Sequence, residues 1–382
     1  MTALSLIRSG RRPTWAQSDL SALAHNIRII RRHAPGAEYL LPVKADAYGH
    51  GMEAVTKTAM MSGVRYFGIA STDEGMFLRA QGIRANLVIL GLSFIEQIPA
   101  IVRYDLIPAV ADAHFIDALD RAAKKRGKRI RVHIKIDTGM GRVGVSEKDA
   151  LSLILHAAGK RNIIIEGVFT HFPSSDDDRK FSRGQLSRFQ AIVDACASRG
   201  VRPRFIHAAN SAAVLSLPES HLSMIRPGLI SYGYAQSKGL AAVLPLRPVL
   251  SLKSRIIFVK TIERGMSVSY GRTFIAKKRM QVATVPIGYE DGISRAFSNN
   301  MEMLVHGARV PLIGRVSMDQ CMLDVTPLHA AGKVARVSDE VVIIGSQGRE
   351  RIGVEELASR IHTIPYEITC MLSERVPLIY RS

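Results

Sequence analysis

Short apolar runs alternate with helical patterns over the first two thirds of the chain, and this alternation limits the possible folds most strongly. The strand candidates are residues 40–45, 66–70, 87–90, 107–110, 130–136, 163–169, 204–207 and 224–226. Helical periodicity separates many of them, as in 73–80, 111–126, 148–158 and 184–198. Strands that alternate with helices pair in parallel through right-handed crossovers. We therefore predict an α/β fold, a closed (β/α)8 TIM-like barrel, with a doubly wound open sheet as the alternative.

The pattern changes near residues 245–248, after which strand-like segments follow one another with turns between them. These segments are 250–259, 280–286, 302–305, 309–313, 320–324 and 340–345, and one helix is predicted at 354–361. They indicate a second, mostly β domain. The predicted organisation is a basic N-terminal tail (1–13), a barrel (14–247) and a C-terminal β domain (248–382).

The chain has a formal net charge of +19, which would suit an anionic partner. Its densest basic segment, 121–131, follows an apolar-periodic stretch, and cations there suit the C-terminal end of a helix. Aromatic residues, which would stack on bases, are not interleaved with these cations. We therefore interpret the segment as a solvated basic surface and expect no nucleic-acid partner.

Three cysteines occur without metal-ligand spacing, so neither a disulfide framework nor a metal site is predicted. The short apolar patch at 3–7 precedes its arginines, unlike a signal peptide. No apolar run is long enough to cross a bilayer. These features predict a cytoplasmic protein without a membrane partner.

A lone lysine, Lys44, follows the first apolar run, within the segment YLLPVKADAYGHG (39–51). Burying an ammonium group costs on the order of several kcal/mol, so this position needs an explanation. In one interpretation, the side chain extends its charge into water. In the other, desolvation lowers the pKa of the amine, which can then attack a carbonyl and form a Schiff base.

Other unusual residues follow the later predicted strands, at the end of a barrel where active sites lie. They are Lys135 and Arg142 near the fifth strand, His171 after the sixth, Ser211 after the seventh, and Arg226, Gly228 and Leu229 at the eighth. Each also has a plainer interpretation, as a residue of a tight turn, a solvated arginine or a histidine satisfied near the core.

Several segments resemble those of the alanine racemase family, and the resemblance extends over nearly the whole chain. The segments are YLLPVKADAYGHG (39–51), HIKIDTGMGRVG (133–144), SVSYGRT (267–273), PIGYEDG (286–292), GRVSMDQ (314–320) and PYE (365–367). The resemblance implies a pyridoxal 5'-phosphate-dependent racemase that interconverts L-alanine and D-alanine and supplies D-alanine for peptidoglycan. A broader-specificity racemase acting on serine or lysine is the alternative on the same fold.

The resemblance also implies a role for individual residues. Lys44 would hold the cofactor and act as acid–base on D-alanine, and Tyr270 would act on L-alanine. Further cofactor contacts are implied for Tyr48, Arg142, His171, Ser211, Arg226, Gly228, Leu229 and Tyr366. Substrate contacts are implied for Arg142 and the backbone N–H of Met318. Supporting residues would be Lys135 (carbamylated), Asp319, Tyr289 and Arg295.

In the family, the tyrosine and methionine come from a second subunit, so the resemblance implies a homodimer with shared sites. Arg226 would face the pyridine nitrogen and, because arginine does not readily give up a proton, would keep that nitrogen unprotonated. A related decarboxylase would favour an acidic residue there and lack the SYG and SMD segments. A cofactor carrier would have only the barrel. Ser317 and Glu290 depart from the common family pattern without touching a chemical role.

Overall fold

The computed structural model describes residues 12–235 and 237–382. Most of the expected N-terminal tail, 1–13, therefore lies outside the described residues. The chain divides into two compact units. The barrel unit comprises Leu23–Ala47 and Met52–Leu246, and the β unit comprises the described part of Met1–Ala22, Tyr48–Gly51 and Arg247–Ser382.

After strand β1 (Trp15–Asp19), which pairs within the β unit, parallel strands and helices alternate as predicted. The strands are β2 (Glu38–Pro42), β3 (Tyr66–Ile69), β4 (Asn86–Ile89), β5 (Ile107–Val110), β6 (Ile130–Asp137), β7 (Val145–Ser146), β8 (Ile163–Phe169), β9 (Phe205–His207) and β10 (Met224–Ile225). The helices are α1 (Leu20–His33), α2 (Lys44–Gly49), α3 (Met52–Met61), α4 (Thr72–Ala80), α5 (Ile98–Arg103), α6 (Ala113–Lys125), α7 (Glu147–Ala158), α8 (Arg179–Ala197), α9 (Ser211–Ser216) and α10 (Lys238–Ala241).

Eight of these strands form a parallel sheet in the order β10-β2-β3-β4-β5-β6-β8-β9, with the short β7 paired to β6. Backbone hydrogen bonds join its two outer strands, because Ser223 N donates to Ile206 O at 3.2 Å and Arg226 N donates to Ala209 O at 2.9 Å. The predicted barrel is thereby confirmed. One buried layer inside it contains Leu40, Tyr66, Val88, Ile107, Phe205 and Met224, from six different strands.

Helix α6 shows how the sequence produces these elements. The Asp112 side chain accepts a hydrogen bond from Phe115 N at 2.7 Å and so caps the helix. Phe115, Leu119 and Ala123, spaced four residues apart, are buried on one face. Its last turn carries lysines, which suit the negative end of the helix dipole. The helix therefore lies within the predicted range 111–126.

The β unit contains one large sheet and a small hairpin. The strands after β10 are β11 (Leu250–Arg255), β12 (Phe258–Ile262), β13 (Ser267–Val268), β14 (Phe274–Ile275), β15 (Met280–Val285), β16 (Glu302–Val305), β17 (Ala308–Ile313), β18 (Cys321–Asp324), β19 (Glu340–Gln347), β20 (Glu350–Ile352) and β21 (Leu378–Arg381). Two helices follow β20, α11 (Val354–Arg360) and α12 (Pro365–Cys370). The mostly β character predicted for this part of the chain is confirmed.

Two details of the β unit differ from the sequence expectation. Strand β1 pairs antiparallel with β11 and parallel with β21, so residues 15–19 belong to this sheet although we placed them with the barrel. The single strand predicted at 250–259 is two strands. At the break, Ile256 N donates to Asp339 O and Ile257 N donates to Thr284 O, so the chain changes partner from β19 to β15.

Within the described ranges, no helix is both long and apolar enough to span a bilayer.

Candidate active site

Lys44 begins a short left-handed helix directly after β2. The four residues from Ala45 to Tyr48 have φ between +50° and +55°. Such a conformation costs ~1–2 kcal/mol for each L-residue, so surrounding contacts must hold it. Glu74 supplies two of them, because its carboxylate accepts hydrogen bonds from Ala45 N at 2.8 Å and Ala70 N at 2.6 Å. These contacts fix the backbone from which the Lys44 side chain extends.

Four cations and one histidine converge near the carboxyl ends of the barrel strands. Burial lowers the pKa of His171 well below its usual value, and the fields of Arg226, Lys135, Arg142 and Lys44 lower it further. Burial, followed by three of the same cations, lowers the pKa of Lys135 to about 8. We call these five residues the cation cluster. Its positive charge suits an anionic ligand.

Arg226 lies buried in this cluster, with both terminal nitrogens hydrogen-bonded. Nη2 donates to the carbonyl oxygens of Thr170 at 2.7 Å and Ala208 at 2.9 Å, and contacts His171 Nδ1 at 3.3 Å. Nη1 contacts His207 Nδ1 at 2.8 Å. Burial lowers the pKa of Arg226 to about 9, so the guanidinium stays protonated at neutral pH.

The contacts of Arg226 fix the tautomers of two buried histidines. Because a guanidinium only donates, His207 Nδ1 must accept, and its proton lies on Nε2. His207 Nε2 then donates to His133 Nδ1 at 2.8 Å, and His133 carries its proton on Nε2. That nitrogen lies 3.5 Å from Glu166 Oε2. A chain of hydrogen bonds, each donated in the same direction, thus runs from Arg226 through His207 to His133 in the barrel core.

Glu166 ends this chain as a buried carboxylate. Burial alone would raise its pKa, but His133 and then Arg131 hold the pKa below the usual value. Its Oε1 accepts hydrogen bonds from Tyr66 Oη at 3.1 Å and Arg131 Nη1 at 3.3 Å. Gly167 makes room for the His133 ring, since a Cβ at that position would lie 2.5 Å from His133 Nδ1.

We did not identify His133, Glu166 and His207 from the sequence as functional candidates. A usable signal exists, since each is a polar residue inside an apolar strand run.

Ser211 lies at the first turn of α9, where an anion could bind. Its hydroxyl is buried and has no hydrogen-bond partner among the described residues. The preceding Asn210 caps the helix through Ala213 N at 3.0 Å. Gly228 and Leu229 begin the 3-10 helix Leu229–Tyr232. First-turn N–H groups have no intrahelical acceptor, so these residues fit a phosphate, which accepts several hydrogen bonds.

The loop after β6 fixes the position of Arg142. Asp137 accepts hydrogen bonds from the backbone N–H groups of Gly139 and Met140 at 2.9 Å and of Gly141 at 3.1 Å. Burial would raise the pKa of Asp137, but these backbone donors lower it overall. A tight surface turn was one interpretation of this segment. It is a turn whose backbone N–H groups bind the side chain of Asp137 in the same segment.

Tyr48 and Tyr366, both predicted site residues, meet within the β unit. Their ring centroids lie 5.2 Å apart in an edge-to-face arrangement. Gly49 lets the backbones of the two segments come close together, because a Cβ there would lie 2.2 Å from Thr369 O. The glycine in the YGHG segment is therefore required by a close backbone contact.

The other predicted residues of the β unit form an exposed surface. Tyr270 is 71% exposed, Met318 49% and Tyr289 39%. The segments that bear them are joined, since Ser269 Oγ donates to Arg315 O at 2.6 Å and Tyr289 N donates to Ser317 O at 3.0 Å.

Asp319 belongs to a cluster of ion pairs centred on Asp291 and Arg375. The sequence did not indicate this cluster. Asp319 pairs with Arg375 at 2.7 Å. The buried Asp291 lies 2.8 Å from Arg12 and 3.5 Å from Arg375. Arg295, the expected neighbour of Asp291, is exposed. Arg12 lies far from these residues in sequence, so no local pattern indicated its role.

Two family models match the chain, the alanine racemase N-terminal domain over residues 18–236 and the alanine racemase C-terminal domain over 249–380. Alanine racemase 1 of Caldanaerobacter subterraneus subsp. tengcongensis is 40% identical over 374 residues, 97% of this chain and 95% of that protein. The alanine racemase of Methanococcus maripaludis is 38% identical over 372 residues, 96% of this chain and 98% of that protein.

Solved structures agree with this relationship. The alanine racemase of a D-cycloserine-producing Streptomyces lavendulae superimposes with a TM-score of 0.91 at 33% identity, covering 97% of each chain. A histidine racemase of Leuconostoc mesenteroides subsp. sake superimposes with a TM-score of 0.87 at 26% identity, covering 97% of this chain and 98% of that one. The chain therefore belongs to the alanine racemase family of pyridoxal phosphate-dependent isomerases.

Proposed function

We propose that the chain binds pyridoxal 5'-phosphate through Lys44 and interconverts L-alanine and D-alanine with two acid–base residues, Lys44 and Tyr270. The observation that carries the proposal is the cation cluster. In support, Lys44 at a strand end and the buried Arg226 both act on His171, and the terminal nitrogens of Arg226 are already bonded to the protein. The product D-alanine would serve peptidoglycan synthesis in the cytoplasm.

The residues of the barrel fit the parts of this cofactor. When bound, pyridoxal phosphate supplies an electron sink that acidifies the Cα–H of the substrate. The Ser211 hydroxyl and the backbone at Gly228 and Leu229 would hold its phosphate, together with Tyr48 and Tyr366. Arg226 would donate to the ring nitrogen through an N–H group that its contacts with His207, Thr170 and Ala208 leave available.

Inversion at Cα requires a proton carrier on each face of a planar centre. Lys44 would serve one face, and Tyr270 of a second subunit the other. His171 is held neutral, with Nδ1 against Arg226, so its Nε2–H is free to donate to the Tyr270 oxygen. Acid–base groups placed in this way typically contribute about 10²- to 10⁴-fold to a rate.

Arg142 and the backbone N–H of Met318 would bind the substrate carboxylate, and Lys135 would hold Arg142 as a carbamate. The pKa of Lys135, lowered to about 8, leaves a substantial neutral fraction of the amine near neutral pH, and only that form reacts with carbon dioxide. The resulting anion would pair with a guanidinium and reduce the repulsion among the surrounding cations. Asp319, Tyr289 and Arg295 would support this side of the site.

Borohydride reduction of the purified protein tests the central assignment. The treatment should abolish the visible absorption band and attach the cofactor irreversibly to one peptide, the one that contains Lys44. Labelling of any other lysine would overturn the proposal.

The separate roles of the two carriers require another measurement, exchange of the α-hydrogen in deuterated water. Tyr270→Phe should suppress exchange from L-alanine by about 10²-fold or more and affect exchange from D-alanine much less. An equal loss from both enantiomers would contradict the assignment of one carrier to each face.

The fold alone does not select the side chain of the substrate, because the histidine racemase of Leuconostoc mesenteroides shares it. A racemase that also accepts serine or lysine is therefore the second candidate. Racemisation rates for alanine, serine and lysine, compared at equal concentration, decide between them. Comparable kcat/KM for two of these substrates would favour broader specificity.

A further inference from the structure

The barrel unit has a strongly basic surface at the end opposite the cation cluster. In a parallel barrel, the loops that precede the strands all lie at one end. Here these loops include residues 62–65, 82–85, 104–106, 126–129, 159–162 and 199–204. We call the surface that they form the amino-end face.

Exposed cations occur on nearly every loop of the amino-end face. Arg65, Arg84, Arg129, Arg161 and Arg204 each lie in a different loop and are exposed. Cations in the last turn of a helix are explained by the helix dipole, which acts within one turn. These five arginines lie beyond the helix ends, so the dipole does not explain them.

Acidic side chains compensate only part of this charge. Glu38 pairs with Arg65, and Asp105 lies 3.6 Å from Arg131. The run Lys124, Lys125 and Arg126 is exposed as well. Like charges gathered on one face repel one another, so their accumulation favours a role in binding a polyanion.

The amino-end face also has two open cavities that combine arginines with apolar side chains. The larger, of about 730 Å³, is lined by Arg84, Arg103 and Phe77. Asp73, Asp105 and Arg79 also line it, but the Arg79 guanidinium already donates to four backbone carbonyl oxygens. The smaller, of about 410 Å³, is lined by three arginines of α1, Arg28, Arg31 and Arg32, together with Met61. Met61 is 83% exposed and Phe77 45%. Guanidinium groups beside exposed apolar side chains match the phosphates and acyl boundary of a lipid surface.

We propose that the amino-end face binds the surface of a bilayer that contains anionic phospholipid. A planar partner can contact cations on all sides of a ring of loops at once, whereas a nucleic-acid duplex is a rod and would contact only a strip. Exposed methionine and phenylalanine side chains can enter a bilayer interface but have no comparable place on a phosphate backbone. We expected no membrane partner because no apolar run spans a bilayer, and peripheral binding requires no such run.

Cosedimentation with lipid vesicles tests this proposal on the full-length, cofactor-loaded protein. The protein should sediment with vesicles of phosphatidylcholine mixed with phosphatidylglycerol and stay in the supernatant with phosphatidylcholine alone. High salt should release most of it, because screening weakens contacts between exposed charges. The triple variant Arg84→Gln, Arg129→Gln, Arg161→Gln should lower the partition coefficient by about tenfold or more and keep full racemase activity.

A matched variant tests whether vesicle binding depends on the amino-end face or only on the net charge of the protein. Lys277→Gln, Lys278→Gln, Arg279→Gln removes the same charge from three exposed residues of the β unit and should retain binding within about twofold. Met61→Gln should weaken the binding that remains at high salt. Equal loss in both triple variants, absence of wild-type protein from the anionic vesicles, or its complete removal from them by an equal phosphate concentration of duplex DNA would each overturn the proposal.

Discussion

At the scale of single residues, the site depends on which groups are left without partners. Ser211 Oγ is buried and unbonded among the described residues, whereas Ser216 Oγ on the same helix donates to Ser175 O and Ala212 O. An unpaired buried hydroxyl costs folding free energy, and at the first turn of α9, where backbone N–H groups have no intrahelical acceptor, it fits a ligand that accepts hydrogen bonds.

Ser211→Ala should therefore separate stability from cofactor binding. We expect the free energy of unfolding of the cofactor-free protein to stay the same or to rise, because the variant removes a buried hydroxyl that has no partner among the described residues. The dissociation constant of pyridoxal phosphate should rise about tenfold, as expected for one lost hydrogen bond to a charged group. Ser216→Ala is the control, and it should lower stability without changing cofactor affinity. A stability loss in Ser211→Ala with unchanged affinity would contradict the phosphate assignment.

Glu166 offers a second prediction at this scale, because it ends the donor chain as a buried anion. Glu166→Gln should lower the free energy of unfolding at neutral pH by ~1–3 kcal/mol. The folded-state pKa of Glu166 lies below its usual value, so its contribution is complete above the ordinary pKa of a glutamic acid. The contribution is lost as the pH falls through the folded-state pKa. Urea unfolding of both proteins should therefore show a gap that closes in acid, and a pH-independent gap would contradict this.

Residues differ in how far the sequence alone predicts them. Lys44 lies directly after an apolar run and Arg142 lies in the loop that follows another, and the barrel rule then places both at one end of the fold. His133, Glu166 and His207 lie inside such runs, where a polar residue usually has a structural role in the core. Only the three-dimensional chain from Arg226 shows their common direction.

At the scale of elements, the left-handed helix α2 is the least predictable part of the barrel unit. Its sequence, KADAYG, contains good formers of an ordinary right-handed helix, and we included its first two residues in the strand candidate 40–45. Contacts from Glu74 and the close approach of Gly49 to Thr369 keep this helix left-handed instead. Long-range contacts override local propensity here, and no local pattern encodes them.

Ala45→Gly distinguishes a left-handed from a right-handed helix by the sign of its effect on the free energy of unfolding. In a right-handed helix, glycine costs about 1 kcal/mol relative to alanine. At Ala45, which is exposed and has φ of +51°, removing Cβ relieves strain and should raise the free energy of unfolding by ~0.5–1 kcal/mol. Ala191→Gly, at an exposed position in the right-handed α8, is the matched control and should destabilise. Chemical denaturation measures both, and destabilisation by Ala45→Gly would contradict the left-handed geometry.

At the scale of the whole molecule, the alternation of strands and helices predicts the barrel, but it does not predict which sheet receives β1. We assigned residues 15–19 to the barrel domain, 14–247, but the strand pairs with β11 and β21, more than 200 residues later in the chain. Pairing over such a separation depends on the assembled β sheet, so periodicity near residue 15 contains no information about it.

The exposed surface of Tyr270, Tyr289 and Met318 leads to the prediction for the assembled enzyme. Large side chains on a contiguous exposed surface mark a binding partner, and the proposed mechanism makes that partner a second copy of this chain. If the sites are shared, mixing Lys44→Ala subunits with Tyr270→Phe subunits creates one intact site in each mixed dimer. Random exchange of equal amounts should then restore about one quarter of the wild-type activity. If each subunit uses its own tyrosine, every site carries a defect and no mixing ratio restores activity.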